Sequence, residues 1–477
     1  MNLFDILTAA GKAHVAFLER PDGGVDSYAD LMAHTGRLAN ALVAAGVKPG
    51  DRVAAQVEKS PENLYLYLAT VRAGAVFLPL NTAYTTAEVD YFVGDAEPAL
   101  VVTEDTMRPL VEQARGLSPQ FETVAREAGD LAAICYTSGT TGRSKGAMLT
   151  HGNLASNAAT LAGLWRFTAD DVLIHALPIY HVHGLFVATN VVLMAGASMI
   201  FRPRFDAAEV LSLMLCATVL MGVPTFYTRL LAQPGLTREA AASMRLFVSG
   251  SAPLLAETHR EWSQRTGAAI LERYGMTETG MNTSNPYDGE RVAGTVGLPL
   301  PDVALRIADP DTGKHLPRGE IGVIEVKGPN VFAGYWRMAD KTAAEFRADG
   351  FFITGDLGKI DDDGYVHIVG RGKDLIISGG LNVYPKEVAE EIDAILGVVE
   401  SAVVGLPHKD LGEGVVAVVA AAGLTELTEA KVLSALSERL ARYKQPKRVI
   451  FVQDLPRNAM GKVQKALLRQ QLSGLFD

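Results

Sequence analysis

The segment Tyr136 to Ala147, YTSGTTGRSKGA, gathers five Ser or Thr hydroxyls, three glycines and two cations into twelve residues directly after an apolar run. Each residue type has a use around oxyanions. Gly139, Gly142 and Gly146 let backbone N–H groups approach closely, Thr137, Ser138, Thr140, Thr141 and Ser144 add hydroxyl donors, and Lys145 brings a point charge. The spacing is not that of a Walker loop, but the donor content suits a polyphosphate.

Five other places carry reactive types. Glu278 in RYGMTET is a carboxylate beside a glycine turn and flanking threonines, the kind of oxygen ligand that Mg2+ takes in the company of phosphates. Asp356 in FFITGDLG could accept from two vicinal hydroxyls with Arg371 as a complementary cation, although Gly-Asp is also a common turn. Lys462 in NAMGK could stabilise negative charge that develops in a transition state, or could be an ordinary exposed lysine like its neighbour Lys465. LPIYHVHG places His181 and His183 in an apolar setting, where a lone histidine is more often part of the core than a ligand. Arg229 in VPTFYTRLL is a planar guanidinium suited to a carboxylate, or a surface residue of an amphipathic helix.

These residues need a scaffold, and the pattern supplies one. Helix-like stretches at Tyr28 to Ala45 and Pro61 to Ala73 alternate with apolar runs at Val53 to Val57, Val76 to Pro79 and Ala99 to Val102, which predicts α/β architecture. The runs are continuous rather than alternating, as are Val172 to Ala176, Ser198 to Phe201 and Val219 to Gly222, so a parallel sheet covered on both faces is expected. From Pro301 the texture changes to hairpins, with turns at Asp309 to Gly313 and at Asp363-Gly364. A helix from Pro385, strands at Val399 to Gly405 and Gly414 to Ala422, and a helix from Thr428 to Tyr443 then read as an α+β unit. The expected domains are residues 1–370, with helix-flanked sheets and a β-rich subdomain at about 301–370, and residues 371–477.

Composition narrows the classes. A net charge of -10 without a concentrated basic patch argues against nucleic acid as a partner. Cys135 and Cys216, the two cysteines, have no metal-ligand spacing and fit a reducing cytoplasm. No apolar run is long enough to span a bilayer and the first residues do not read as a leader, so stable membrane insertion is not expected.

YTSGTTGRSKG, RYGMTET, TGD at Thr354 to Asp356, GRGKD at Gly370 to Asp374 and PRNAMGKVQK at Pro456 to Lys465 occur in one order that resembles the adenylate-forming superfamily of acyl-CoA synthetases, luciferases and peptide-synthetase adenylation domains. The resemblance covers the chain from about residue 28 to 470. It implies a large N-terminal domain and a small mobile C-terminal domain, with ATP and CoA as co-substrates and Mg2+ as cofactor. ATP would meet Thr137, Ser138, Gly139, Thr140, Thr141, Gly142 and Lys145, the wall Gly250, Ser251 and Ala252, and Tyr274, Gly275, Met276 and Thr277. Glu278 with Thr137 would hold the metal, Asp356 and Arg371 the ribose, and Lys462 would be catalytic. Lys373 would be the hinge, and Gly379 and Gly380 would pass the thiol of CoA, although ISGGLNVYPKEV reads equally well as a helix-entry turn before Pro385.

The stretches LPIYHVHGLF, MGVPTFYTRLL, FVSGSAPL and ERYGMTETGMNTSNPYDGERV closely resemble those of malonyl-CoA synthetases. That likeness implies malonate as the acid. His181 and Arg229 would recognise its distal carboxylate, with Ser251 at the acid, and Val182 and Met276 would limit substitution at the central carbon. Methylmalonate, another short acid, or a carrier-loading adenylation activity are the alternatives.

Overall fold

The computed structural model describes residues 1–137, 144–421, 427–458 and 461–476. Ser138, Gly139, Thr140, Thr141 and Gly142 therefore lie outside the described residues. The chain divides into two units, Met1–Leu305 with Val326–Phe352, and Arg306–Glu325 with Ile353–Asp477. Residues 306–325 and 353–370 of the β-rich segment group with the C-terminal residues, and 326–352 with the first unit.

Local signals set the helices of the first unit. Ser27 and Asp30 close a capping box on Tyr28–Ala44, and Thr85 with Glu88 does the same on Thr86–Ala96, each satisfying N–H groups that the first turn leaves open. Pro61 and Pro224 open helices Pro61–Arg72 and Pro224–Leu231, where a missing N–H costs nothing. Among the described residues, one sheet runs in the order Leu298–Pro299, Gly280–Ser284, Leu271–Met276, Leu246–Ser249, Val219–Gly222, Val172–His175, Ser198–Phe201, Ala16–Glu19, Val25–Ser27. The four strands from Leu271–Met276 to Val172–His175 are mutually parallel, as expected. A second sheet runs Leu100–Thr103, Arg52–Gln56, Val76–Pro79, Leu131–Thr137, Lys145–Thr150.

Both sheets depart from all-parallel pairing where a motif turns the chain back. Leu131–Thr137 pairs antiparallel with Lys145–Thr150, and Leu271–Met276 with Gly280–Ser284. These two antiparallel pairs are hairpins: GMTET forms the turn of the second, and Thr137 and Lys145 close the described part of the first.

In the second unit, Val398–His408 and Gly412–Ala421 form a long antiparallel pair, with Arg448–Val452 parallel to the latter. Val403, Val415, Ala417 and Val419 face one apolar cluster, whereas Ala402, Val404, Val416 and Val418 face another. Burial on both faces accounts for the unbroken apolar runs. The helix expected to reach Tyr443 ends at Ser437, because Leu440 turns into the core and the chain must reverse to place Lys447 and Arg448 along the Gly412–Ala421 strand.

His151 ties the first helix of the chain to this framework. Its Nδ1 accepts from the Leu3 backbone N–H at 2.9 Å, and burial, with Arg126 nearby, pushes its pKa down from 6.5 to about 4. Because the folded pKa lies below the unfolded one, the unfolded chain binds the extra proton. This contribution is complete above about pH 6.5 and is lost as the pH falls toward about 4, a change of about 3 kcal/mol. Denaturant unfolding at pH 7 and pH 4.5 should show His151→Gln losing less stability on acidification than the native chain.

Candidate active site

Four adjacent parallel strands end on the same edge of the larger sheet, at His175, Gly222, Ser249 and Met276. The segments leaving those ends are the ones singled out by residue type. Ligands of open α/β sheets gather at such carboxyl ends.

After His175 the chain enters a π-helix, His183–Ala188. The His183 backbone N–H donates to His181 Nδ1 at 3.3 Å, so the two histidines are held together, with His181 partly exposed and His183 buried beside the buried Val182. Ser251, in left-handed backbone at φ 70°, places its hydroxyl 3.3 Å from His183 Nδ1. Burial holds the His183 imidazole well below its usual pKa, and the charge of Arg273 adds to the effect. The histidine is therefore neutral at pH 7.

Arg273 is the residue that sequence reading passed over. It stands in RYGMTET, only 3% exposed, and its Nε and Nη2 have no hydrogen-bond partner in the structure. A Cβ on Gly250 would fall 2.4 Å from its Cζ and Nη1, so the guanidinium lies flat against the Gly250 backbone. Burial pushes its pKa down to about 9, which leaves it charged at neutral pH. Buried donors without partners are rare enough to require a reason. No local spacing marks it in the sequence, because an arginine in this motif stands out only once its surroundings are known to be dry. Arg229, by contrast, sits exposed in the last turn of helix Pro224–Leu231.

A second group forms where the two hairpins bend. Thr137 Oγ1 donates to the Lys145 carbonyl at 3.4 Å. Lys145 Nζ pairs with Glu345 Oε1 at 3.0 Å and lies 4.0 Å from the centre of the Tyr335 ring. The Tyr335 hydroxyl is 3.0 Å from Glu278 Oε1 and 2.7 Å from Glu345 Oε2. Burial would raise Glu345, but hydrogen bonds from Lys341, Tyr335 and Lys145 outweigh it and hold the carboxyl below its usual range. Burial, followed by the charge of Glu278, raises the Tyr335 phenol beyond any physiological titration. Tyr335 and Glu345 were not singled out from sequence, where nothing in the local spacing marks them. Glu278 is buried in the turn Thr277–Thr279, followed on the other strand by Gly280, whose carbonyl would lie 1.9 Å from a Cβ on Gly275. Tyr274, Gly275 and Met276 are partly exposed on the same strand, and Gly250 and Ala252 flank Ser251.

The remaining candidates belong to the second unit. Asp356 and Arg371 face each other across a strand pair, with Arg371 Nε 2.6 Å from Asp356 Oδ1. Lys373 is exposed in the short turn Gly372–Asp374. Gly379 and Gly380, at φ 61° and 78°, make the two-residue bend of the hairpin Ile376–Ser378 and Leu381–Val383, a conformation that other residues resist. Lys462 is exposed, and its backbone N–H donates to Asn458 Oδ1 at 3.0 Å. Lys465, which only the motif register separates from it in the sequence, opens helix Lys465–Gln471 with its ammonium pKa lowered by burial. Among the described residues no cluster of three or more His, Cys, Asp or Glu could hold a metal alone, and no helix is long and apolar enough to cross a membrane.

Residues 8–336 match the AMP-binding enzyme family and residues 387–462 match the AMP-binding enzyme C-terminal domain. The chain belongs to the AMP-binding enzyme family. Among solved structures, ATP-bound MatB from Rhodopseudomonas palustris is similar with 62% identity and a TM-score of 0.98, covering 100% of both chains. A feruloyl-CoA synthase from an Amycolatopsis species is 37% identical over 95% of both chains. A malonate–CoA ligase from Arabidopsis thaliana is 35% identical over 90% of this chain and 79% of its own length.

In this AMP-binding enzyme the close approach of Gly250 to Arg273 is open to direct test. Gly250→Ala should lower stability in denaturant unfolding by about 1–3 kcal/mol, as overpacking does, and Arg273→Met in the same chain should recover part of that loss because the thioether can yield.

Proposed function

We propose that the chain is an ATP-dependent acid–thiol ligase that converts malonate and coenzyme A into malonyl-CoA through a malonyl-adenylate, releasing AMP and pyrophosphate. The choice of acid is carried by Arg273, a buried guanidinium with unpartnered Nε and Nη2 beside His183 and Gly250. One carboxylate of the acid is consumed in attacking the α-phosphate. A monocarboxylic acid would then leave this cation desolvated without a counter-charge, whereas a dicarboxylate supplies one. The likeness to MatB and to a malonate–CoA ligase supports the same acid. His181, Val182, Ser251 and Met276 complete the acid contacts in this reading, and Arg229 is a second cation for the distal carboxylate.

The other roles follow the motif positions. Thr137, Lys145 and the loop between them take the triphosphate, Gly250 to Ala252 and Tyr274 to Thr277 take adenine and the α-phosphate, and Asp356 with Arg371 takes the ribose. Magnesium, when bound, neutralises charge on the phosphate oxygens. Glu278 fits it as a buried carboxylate oriented by a neutral phenol, with Thr137 as a further oxygen. Lys462 supplies an ammonium where charge builds as the carboxylate attacks phosphorus. Lys373 is the pivot between half-reactions, and Gly379 and Gly380 border the thiol of CoA.

AMP release should be measured with malonate, methylmalonate, acetate, succinate and octanoate. Malonate is expected to give the strongest signal, and Lys462→Ala should abolish it. Arg273→Met should lower kcat/KM for malonate roughly a hundredfold or more while ATP affinity stays within about twofold, and Arg229→Leu measured beside it apportions the two cations. Preference for acetate or octanoate would overturn the choice of acid; preference for methylmalonate would keep the Arg273 assignment and change the product.

A further inference from the structure

We propose that Tyr335 and Glu345 are positioning residues that brace Lys145 and Glu278 at a fixed spacing for the triphosphate and its metal. The inference rests on the nucleotide reading of Lys145 and Glu278 given above.

Lys145 and Glu278 come from different hairpins on different sheets, so neither local sequence nor strand register sets the distance between them. The connection is made by a third segment. Tyr335 forms an isolated bridge with Ala147, two residues beyond Lys145, and its backbone N–H donates to Thr342 Oγ1 at 2.9 Å. Its ring packs edge-on against Phe332 at 4.8 Å, and the Phe332 N–H donates to the Glu278 carbonyl at 2.8 Å. Tyr335 is 3% exposed and anchored to both hairpins, and it is therefore placed to fix side chains on each.

Its hydroxyl reaches both Glu278 and Glu345, while its ring face supports the Lys145 ammonium. Glu345 pairs with that ammonium at 3.0 Å. A lysine carries three N–H donors, so one spent on Glu345 leaves two for phosphate oxygens. The arrangement gives Lys145 a carboxylate partner other than Glu278. Without it, a long, strongly hydrated side chain would have to be ordered when ATP arrives, and that ordering would weaken binding. Groups that orient a metal carboxylate from behind commonly change metal affinity by about 10- to 100-fold when removed.

The test is a double-mutant cycle on the full chain, with ATP binding read by calorimetry, no acid present and no turnover. Lys145→Met and Glu345→Gln, measured without Mg2+, should each weaken ATP about tenfold, and the double variant should be no weaker than Lys145→Met alone. Tyr335→Phe, which keeps the ring and its packing, should raise the Mg2+ concentration needed for half-maximal ATP binding about tenfold while leaving KM for the acid unchanged. Thermal unfolding of each variant confirms that a folded chain is being titrated. If Lys145→Met weakens ATP but Glu345→Gln leaves it unchanged or tightens it, or if the two losses multiply, the brace is wrong and the nucleotide reading stands. If Lys145→Met has no effect on ATP, the nucleotide reading of Lys145 fails, and the brace with it.

Discussion

Four adjacent parallel strands, with carboxyl ends at His175, Gly222, Ser249 and Met276, carry most of the arrangement on which the first unit's chemistry depends. Adjacent parallel strands must finish on one edge, so segments separated by up to a hundred residues in sequence emerge side by side. The histidine pair, the helix bearing Arg229, the Gly250 turn and the GMTET bend meet for that reason. None of them needs to recognise another beforehand. Burial of the strand interiors on both faces holds the edge in place, and the exposed ends are left to carry polar residues.

In the first unit the protein places two cations out of full solvent and treats them differently. Arg273 is desolvated against Gly250 with two nitrogens unpartnered, and its charge adds to the burial that keeps His183 neutral. Lys145 is partly withdrawn from water, and a carboxylate and an aromatic face compensate it. A cation left waiting favours an arriving anion strongly and selects for it, whereas a cation already held is oriented for an anion that other groups also bind. The first suits discrimination among acids, and the second suits a nucleotide that contacts many residues.

The second unit shows how packing separates residues of one type. Lys462 and Lys465 are three apart in a short basic stretch. One is exposed with its backbone N–H on Asn458 Oδ1, and the other begins a helix with Asp374 near its buried ammonium. Asp374 also receives Arg469 at 2.8 Å, so the turn containing Lys373 is tied to the helix that follows Lys462.

Much was legible from sequence because it is local chemistry. Turn residues, a proline at a helix start and strands that read as unbroken apolar runs made the α/β class legible; the family, and the candidate carboxylates and lysine, came from ordered motifs that resemble the adenylate-forming superfamily. Residues whose importance lies in what they meet were not legible. Arg273 sat unremarked inside a quoted motif because a strand arginine gains meaning only when its surroundings are known to be dry and lacking a partner. Tyr335 and Glu345 lie 190 or more residues from Thr137 and Lys145, where no spacing rule operates. Sequence by itself determined which groups this protein has for chemistry and the elements that carry them. Only the tertiary structure decided which of those groups are desolvated and which are paired, because burial and charge compensation belong to residues brought together across the chain.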